Sequence, residues 1–106
     1  MIQGFITYDL AVSLHRKVQG IQGRASLLDQ LQRAAESVVL NLAEGKGRAT
    51  VKDRARFYSI ALGSLREVRA ALDLLLVEDE ALLDQVDHIG ACLYRLINPK
   101  NREGGP

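Results

Sequence analysis

Arg33, Ser37, Asn41, Glu44 and Arg48 recur at spacings of three and four, which lines them along one side of a helix. Together they offer guanidinium, hydroxyl, amide and carboxylate groups, a set able to hydrogen-bond specifically to a partner helix, a second subunit or a ligand. Glu67 adds a carboxylate further along the chain. Glu44 and Glu67 could form an acid–base pair, but structural ion pairs with Arg33 or Arg48 need no reaction and are the favoured assignment. The expected arrangement is a hydrogen-bonded polar seam in which Arg33 meets Glu67.

Other reactive groups lack the company that chemistry requires. His15 and His88 lie in different segments with no second His nearby in sequence, so no metal is assigned. Ser37, Ser59 and Ser64 lack a strand-to-helix nucleophile elbow, and Cys92 sits among short apolar neighbours as a packed thiol would. The run Gly45-Lys46-Gly47-Arg48-Ala49-Thr50 does not have the spacing of a phosphate-binding GxxxxGK[ST] loop, and no strand precedes it. It reads as a helix–helix turn. The expectation is a protein without catalysis and without a cofactor.

That turn does carry charge. Lys46, Arg48, Lys52, Arg54 and Arg56 concentrate cations at one helix junction, diluted by Glu44 and Asp53. Free N–H groups at the start of the next helix would add partial positive charge there. The junction is therefore the candidate contact for RNA, DNA or an acidic partner. The formal net charge is only +1, but it is unevenly spread. Arg16 to Arg69 holds eleven basic against five acidic residues, whereas Ala70 to Tyr94 holds six acids and no base.

Four helices must position these groups. The first is expected over Tyr8 to Gln19 with Thr7 as N-cap, and Tyr8, Ala11, Leu14, Val18 and Ile21 on its seam. The second is expected over Leu27 to Glu44, capped by Ser26, with Leu28, Leu31, Ala35, Val38 and Leu42 inward and Gly45 ending it in a left-handed conformation. The third begins after Thr50 and runs to about Val77, with Tyr58, Ala61, Leu65, Val68, Leu72 and Leu75 on one seam. The fourth runs from Glu80 to Ile97, capped by Asp79 and stopped by Pro99, and turns Leu82, Val86, Ile89, Leu93 and Leu96 inward. Short connections and three–four seams throughout predict an all-α, antiparallel up-down-up-down four-helix bundle.

The chain of 106 residues suits one domain, residues 1–106, with a mobile Gly-rich tail over about 98–106. Its apolar set is mainly aliphatic, with aromatics at 5% and no Trp. The single cysteine favours a reducing compartment. Met1 to Val12 shows neither a basic start nor a long apolar run, and Ala70 to Val77 is far shorter than the roughly 20 residues needed to cross a bilayer. A cytoplasmic location and no membrane partner are expected. Leu40 on the second helix and Ile60, Ala71 and Leu74 on the back of the third lie off the main seams, near the small residues Ser59, Gly63 and Ala70. Their grouping predicts close helix approach across a subunit interface, hence a homo-oligomer.

The runs Arg33-Ala34-Ala35-Glu36-Ser37, Asn41-Leu42-Ala43-Glu44-Gly45-Lys46-Gly47-Arg48 and Phe57-Tyr58-Ser59-Ile60-Ala61-Leu62-Gly63-Ser64-Leu65-Arg66-Glu67 resemble the bacterial four-helix-bundle family encoded by intervening sequences within 23S ribosomal RNA genes. The likeness spans most of the chain. It extends at the level of fold to the accessory variability determinant of diversity-generating retroelements, whose members form pentameric rings and associate with reverse transcriptase and nucleic acid. The resemblance implies a homopentamer with no known catalysis, contacting nucleic acid or a nucleic-acid enzyme. A structural or regulatory protein–protein adaptor is the alternative function.

Overall fold

The computed structural model describes residues 5–99. Four helices follow one another, α1 (Ile6–Val18), α2 (Ala25–Lys46), α3 (Val51–Leu74) and α4 (Glu80–Ile97). The short connections reverse the chain each time. Each helix packs against two neighbours, in the cyclic order α1, α2, α3, α4, and the square closes between α4 and α1. This is the expected all-α four-helix bundle.

The core is the set of inward seams. Ala11, Leu14, Val18, Leu31, Ala35, Val38 and Leu42 are buried on the first two helices, and Tyr58, Ala61, Leu65, Val68, Leu72, Leu82, Val86, Ile89 and Leu93 on the last two. The residues at the seam ends, Tyr8, Ile21, Leu75 and Leu96, pack against this core while partly exposed. Burying a large aliphatic side chain contributes about 1.5–3 kcal/mol, so this mainly aliphatic interior is the principal hold on the four helices.

Several helix ends differ from expectation. The first helix starts two residues early, and Thr7 is buried inside it rather than capping it; the N-cap is Phe5, whose side chain makes no capping bond. Ser26 likewise falls within the first turn of α2, which starts at Ala25 after an extended Arg24. Thr50 and Asp79 cap through their side chains, Thr50 Oγ1 accepting from Asp53 N at 3.1 Å and Asp79 Oδ1 from Leu82 N at 3.2 Å. The third helix stops at Leu74, short of Val77, and the chain turns through Leu76, a non-glycine residue at φ 60°. Of the apolar residues expected on the outer surface, Leu40, Ile60 and Leu74 are exposed but Ala71 is buried, because it lies on the side of α3 that faces α2. The Gly-rich tail lies, from residue 100 onward, outside the described residues.

Gly45 is the most informative correction. It does not end α2 in a left-handed conformation but lies within the helix, and Gly47 follows as C-cap in a right-handed conformation. A Cβ at Gly45 would stand 2.7 Å from Cε1 and 2.9 Å from Cδ1 of Tyr58, and 3.1 Å from Cβ of Phe57. The glycine permits close approach of α3, not a turn.

A basic helix junction and an inter-helix polar seam

The end of α2 and the start of α3 bring all five cations of the junction into one neighbourhood, but not as free charges. Arg54 Nη1 donates to the carbonyls of Arg48 at 2.8 Å and Ala49 at 3.3 Å, so it fastens the turn. Arg48 pairs with Glu44 at 2.7 Å, and its Nε lies 3.8 Å from Asp53 Oδ2, too far for a hydrogen bond. That Nε is buried without a hydrogen-bond partner. Arg56 reaches Asp53 Oδ1 at 3.2 Å. The guanidinium carbons of Arg48 and Arg56 stand 4.7 and 4.5 Å from the centroid of Phe57, within cation–π range. Lys46 lies over the Phe5 ring at 5.2 Å. Lys52 is exposed and enters no ion pair among the described residues.

Five cations against Glu44 and Asp53 leave a formal surplus of three positive charges at this end. The first helical bond of α3 runs from Arg54 N to Thr50 O at 3.0 Å, so the amides of Val51 and Lys52 lie ahead of the hydrogen-bonded ladder. An open groove of about 480 Å³ beside them is lined by Thr50, Lys52, Asp53 and Arg56. Its chemistry suits an anion such as a phosphate, with Asp53 as the opposing charge. Behind it, burial pushes the Tyr58 phenol above its ordinary value of 10, and the Arg54 guanidinium pulls it partly back.

The polar seam is only partly assembled. Ser37 and Ser64 bring their Oγ atoms within 2.7 Å across the α2–α3 contact. Asn41 Nδ2 donates to Ser37 O at 2.9 Å and to Ser37 Oγ at 3.1 Å, completing a three-residue network. Arg33 does not pair with Glu67; it takes Asp29, one turn away on its own helix, at 3.0 Å. Glu67 is exposed and forms no ion pair among the described residues. Glu44 and Glu67 are not neighbours. With Ser37 level with Ser64 on antiparallel helices, Glu44 lies seven residues one way and Glu67 three the other, roughly 15 Å apart along the axis at about 1.5 Å per residue. Gly63 is exposed, with open space around any added Cβ.

Ser64 and Phe57 were missed as contributors to these sites. Ser64 was visible only as a serine on the third helix, and its partner depends on the relative height of two helices. Phe57 had a usable signal, an aromatic next to Arg56 within a run of cations. Cys92 is partly exposed rather than packed, 3.9 Å from His88 Nε2 and 3.6 Å from Arg95 Nη2. Among the described residues no group of three or more His, Cys, Asp or Glu gathers as a metal site would require, and no helix is long and apolar enough to cross a membrane.

A bundle of this topology, with its polar signature concentrated on α2 and α3, agrees with a family match. The family model described as 23S rRNA-intervening sequence protein matches residues 6–95, and the chain belongs to that family. No curated protein gives a significant match.

Proposed function

We propose that the protein is a non-enzymatic, cytoplasmic, oligomeric module that contacts the phosphate backbone of RNA or DNA through the α2–α3 junction. The observation that carries this reading is the surplus of cations at one end of the bundle, with exposed Lys52 beside an open groove at a helix N-terminus. Self-association supports it, since a ring would repeat each weak contact around its circumference. Exposed Leu40, Ile60 and Leu74 favour such association. A stoichiometry of five rests on the family resemblance.

Phosphate contacts position a ligand without reading bases. Replacing Arg48, Lys52 and Arg56 by Gln is therefore expected to weaken binding to unrelated RNA and DNA sequences alike and to flatten its salt dependence, with oligomer size unchanged. Lys52→Gln alone, which breaks no internal contact, is expected to act in the same direction. Each lost phosphate contact should reduce the slope of log K against log salt by about 0.7–0.9. Absence of binding by the native protein at low salt, or equal binding by the triple variant, would replace this reading with the adaptor function.

A further inference from the structure

Phe57 follows Arg56 within the first two turns of α3 and is partly exposed. Two guanidinium groups lie over its ring, that of Arg48 from the turn and that of Arg56 from the same helix. Each is also held by a carboxylate. Arg48 Nη2 donates to Glu44 Oε2 at 2.7 Å, and Arg56 donates to Asp53 Oδ1 from Nη2 at 3.2 Å and from Nε at 3.4 Å. Guanidinium N–H bonds lie in the plane of the group, so the carboxylates occupy its edges and leave its faces for stacking. The Arg56 side chain keeps 61% of its surface exposed, against 39% for Arg48. Arg56 is therefore the open end of the stack.

The backbone beneath the stack is fixed. A Cβ at Gly45 would stand 3.1 Å from Cβ of Phe57, so α2 backs the helix at this point, and Arg54 ties the turn to α3 through the carbonyls of Arg48 and Ala49. Ring and guanidiniums are thus placed before any ligand arrives, and little side-chain freedom remains to be lost on binding. Charge alone is a weak handle here. Arg54 serves the turn, Arg48 and Arg56 share Glu44 and Asp53, and Lys46 covers Phe5. Lys52 has neither an ion pair nor an aromatic contact among the described residues. Arg56 lines the same open groove as Lys52 and stands one helical turn from it, about 5.4 Å along the axis, comparable to the span from a nucleotide's phosphate to its base.

We infer that the junction takes single-stranded rather than paired nucleic acid, with an unpaired base stacked on the outer face of the Arg56 guanidinium, Phe57 behind it, and the adjoining phosphate at Lys52. In a duplex each base is already covered by its neighbours and offers only its edges in the grooves, so the Arg56–Phe57 stack finds no partner there. Stacking accepts any base, because every base has a π face, and the sequence tolerance of the phosphate contacts is kept. This inference rests on the nucleic-acid part of the proposed function and adds to it the strandedness of the ligand.

Three probes of equal length test it: a single strand of mixed sequence, the duplex of that strand with its complement, and an abasic strand carrying the same phosphates without bases. By fluorescence anisotropy the native protein is expected to bind the intact single strand about tenfold more tightly than the abasic strand, near the lower end of what one stacked base contributes. Arg56→Lys keeps the charge and removes the plane. It is expected to bring the ratio of intact to abasic affinity close to one while leaving the salt dependence and the duplex affinity unchanged; the position is exposed, and circular dichroism verifies that the variant folds. Phe57→Leu should lower the ratio in the same way. Lys52→Gln should do the opposite, flattening the salt dependence and keeping the ratio. Equal binding of intact and abasic strands by the native protein would overturn the stacking and leave the phosphate contacts standing. So would an Arg56→Lys variant that retains the native ratio, or one that loses duplex affinity in step with single-strand affinity. Native protein that binds none of the three probes at low salt would overturn both.

Discussion

The helix α3 treats its two neighbours differently. Toward α2 the backbones come close enough that a Cβ at Gly45 would press on the Tyr58 ring, and the contact is pinned by Ser37, Asn41 and Ser64 within hydrogen-bond distance. Toward α4 the visible polar link is Arg69 to Asp87 at 2.9 Å, between partly exposed side chains, and an open groove runs alongside. A seam with internal polar pins and no room for a methyl group fixes register. A seam tied by surface charges leaves space on its outer side. The α2–α3 pair thus holds the basic junction in a tightly packed seam, and the α3–α4 side is the surface with unfilled volume.

The sharpest way to break this comparison is to add one carbon to the tight seam. Gly45→Ala removes a helix-interior glycine, which by propensity alone would stabilise by about 1 kcal/mol. The new methyl must displace the Tyr58 ring, and overpacking of this kind costs about 1–3 kcal/mol. The expected outcome is net destabilisation, seen as a lower denaturant midpoint at fixed protein concentration. Gly90→Ala offers the contrast, because its added Cβ would meet Leu65 at the ordinary contact distance of 3.5 Å. It should be neutral or stabilising. If both substitutions stabilise, the two seams are not different in packing.

A smaller effect is expected from the polar pins. Ser64→Ala removes one partner of the Ser37 hydroxyl, though Asn41 still donates to it at 3.1 Å. The loss should be about 1 kcal/mol, near the net worth of one hydrogen bond. Ser37→Ala should cost more, because it also strips Asn41 of a side-chain acceptor. A double-mutant cycle over Ser37 and Ser64 isolates their coupling, and additivity would show that the short contact contributes nothing.

The same two seams explain what could be read from the sequence. Inward positions repeat with the helical period, so Leu31, Val38, Leu65, Val86 and Leu93 were legible as core before any fold was known. Asp79 was legible as a cap because capping is local. Gly45 was misread because its cause is tertiary; a glycine near the end of an apolar run resembles a helix stop, and only the Tyr58 ring shows otherwise. Arg33 and Glu67 failed to meet although the Ser37–Ser64 contact sets them within one residue of the same height. Both side chains face outward, and Asp29 offered Arg33 a partner within one turn at less loss of side-chain freedom. At the junction the cations were legible as a group, whereas the attachment of Arg54 to the carbonyls of Arg48 and Ala49 was not, since it depends on how the turn folds back.

The smallest effect belongs to the outer tie of α3 to α4. Asp87→Asn would keep the shape of the side chain and remove its charge, and Arg69 would retain Asp73 at 3.3 Å on its own helix. Exposed ion pairs contribute about 0–1 kcal/mol, because solvent screens them and ordering two long side chains opposes them. The expected change in the unfolding midpoint is therefore slight at low salt and absent near 1 M salt, where the screening length falls to about 3 Å. This outcome would separate the seams by mechanism as well as by size: hydrogen bonds of the Ser37 network are between neutral groups and should not fade with salt, whereas the Arg69–Asp87 contribution should. A loss on Asp87→Asn as large as that on Ser37→Ala, and unaffected by salt, would mean that the α3–α4 seam is held by a desolvated charge pair and that the contrast between the two sides of α3 does not exist.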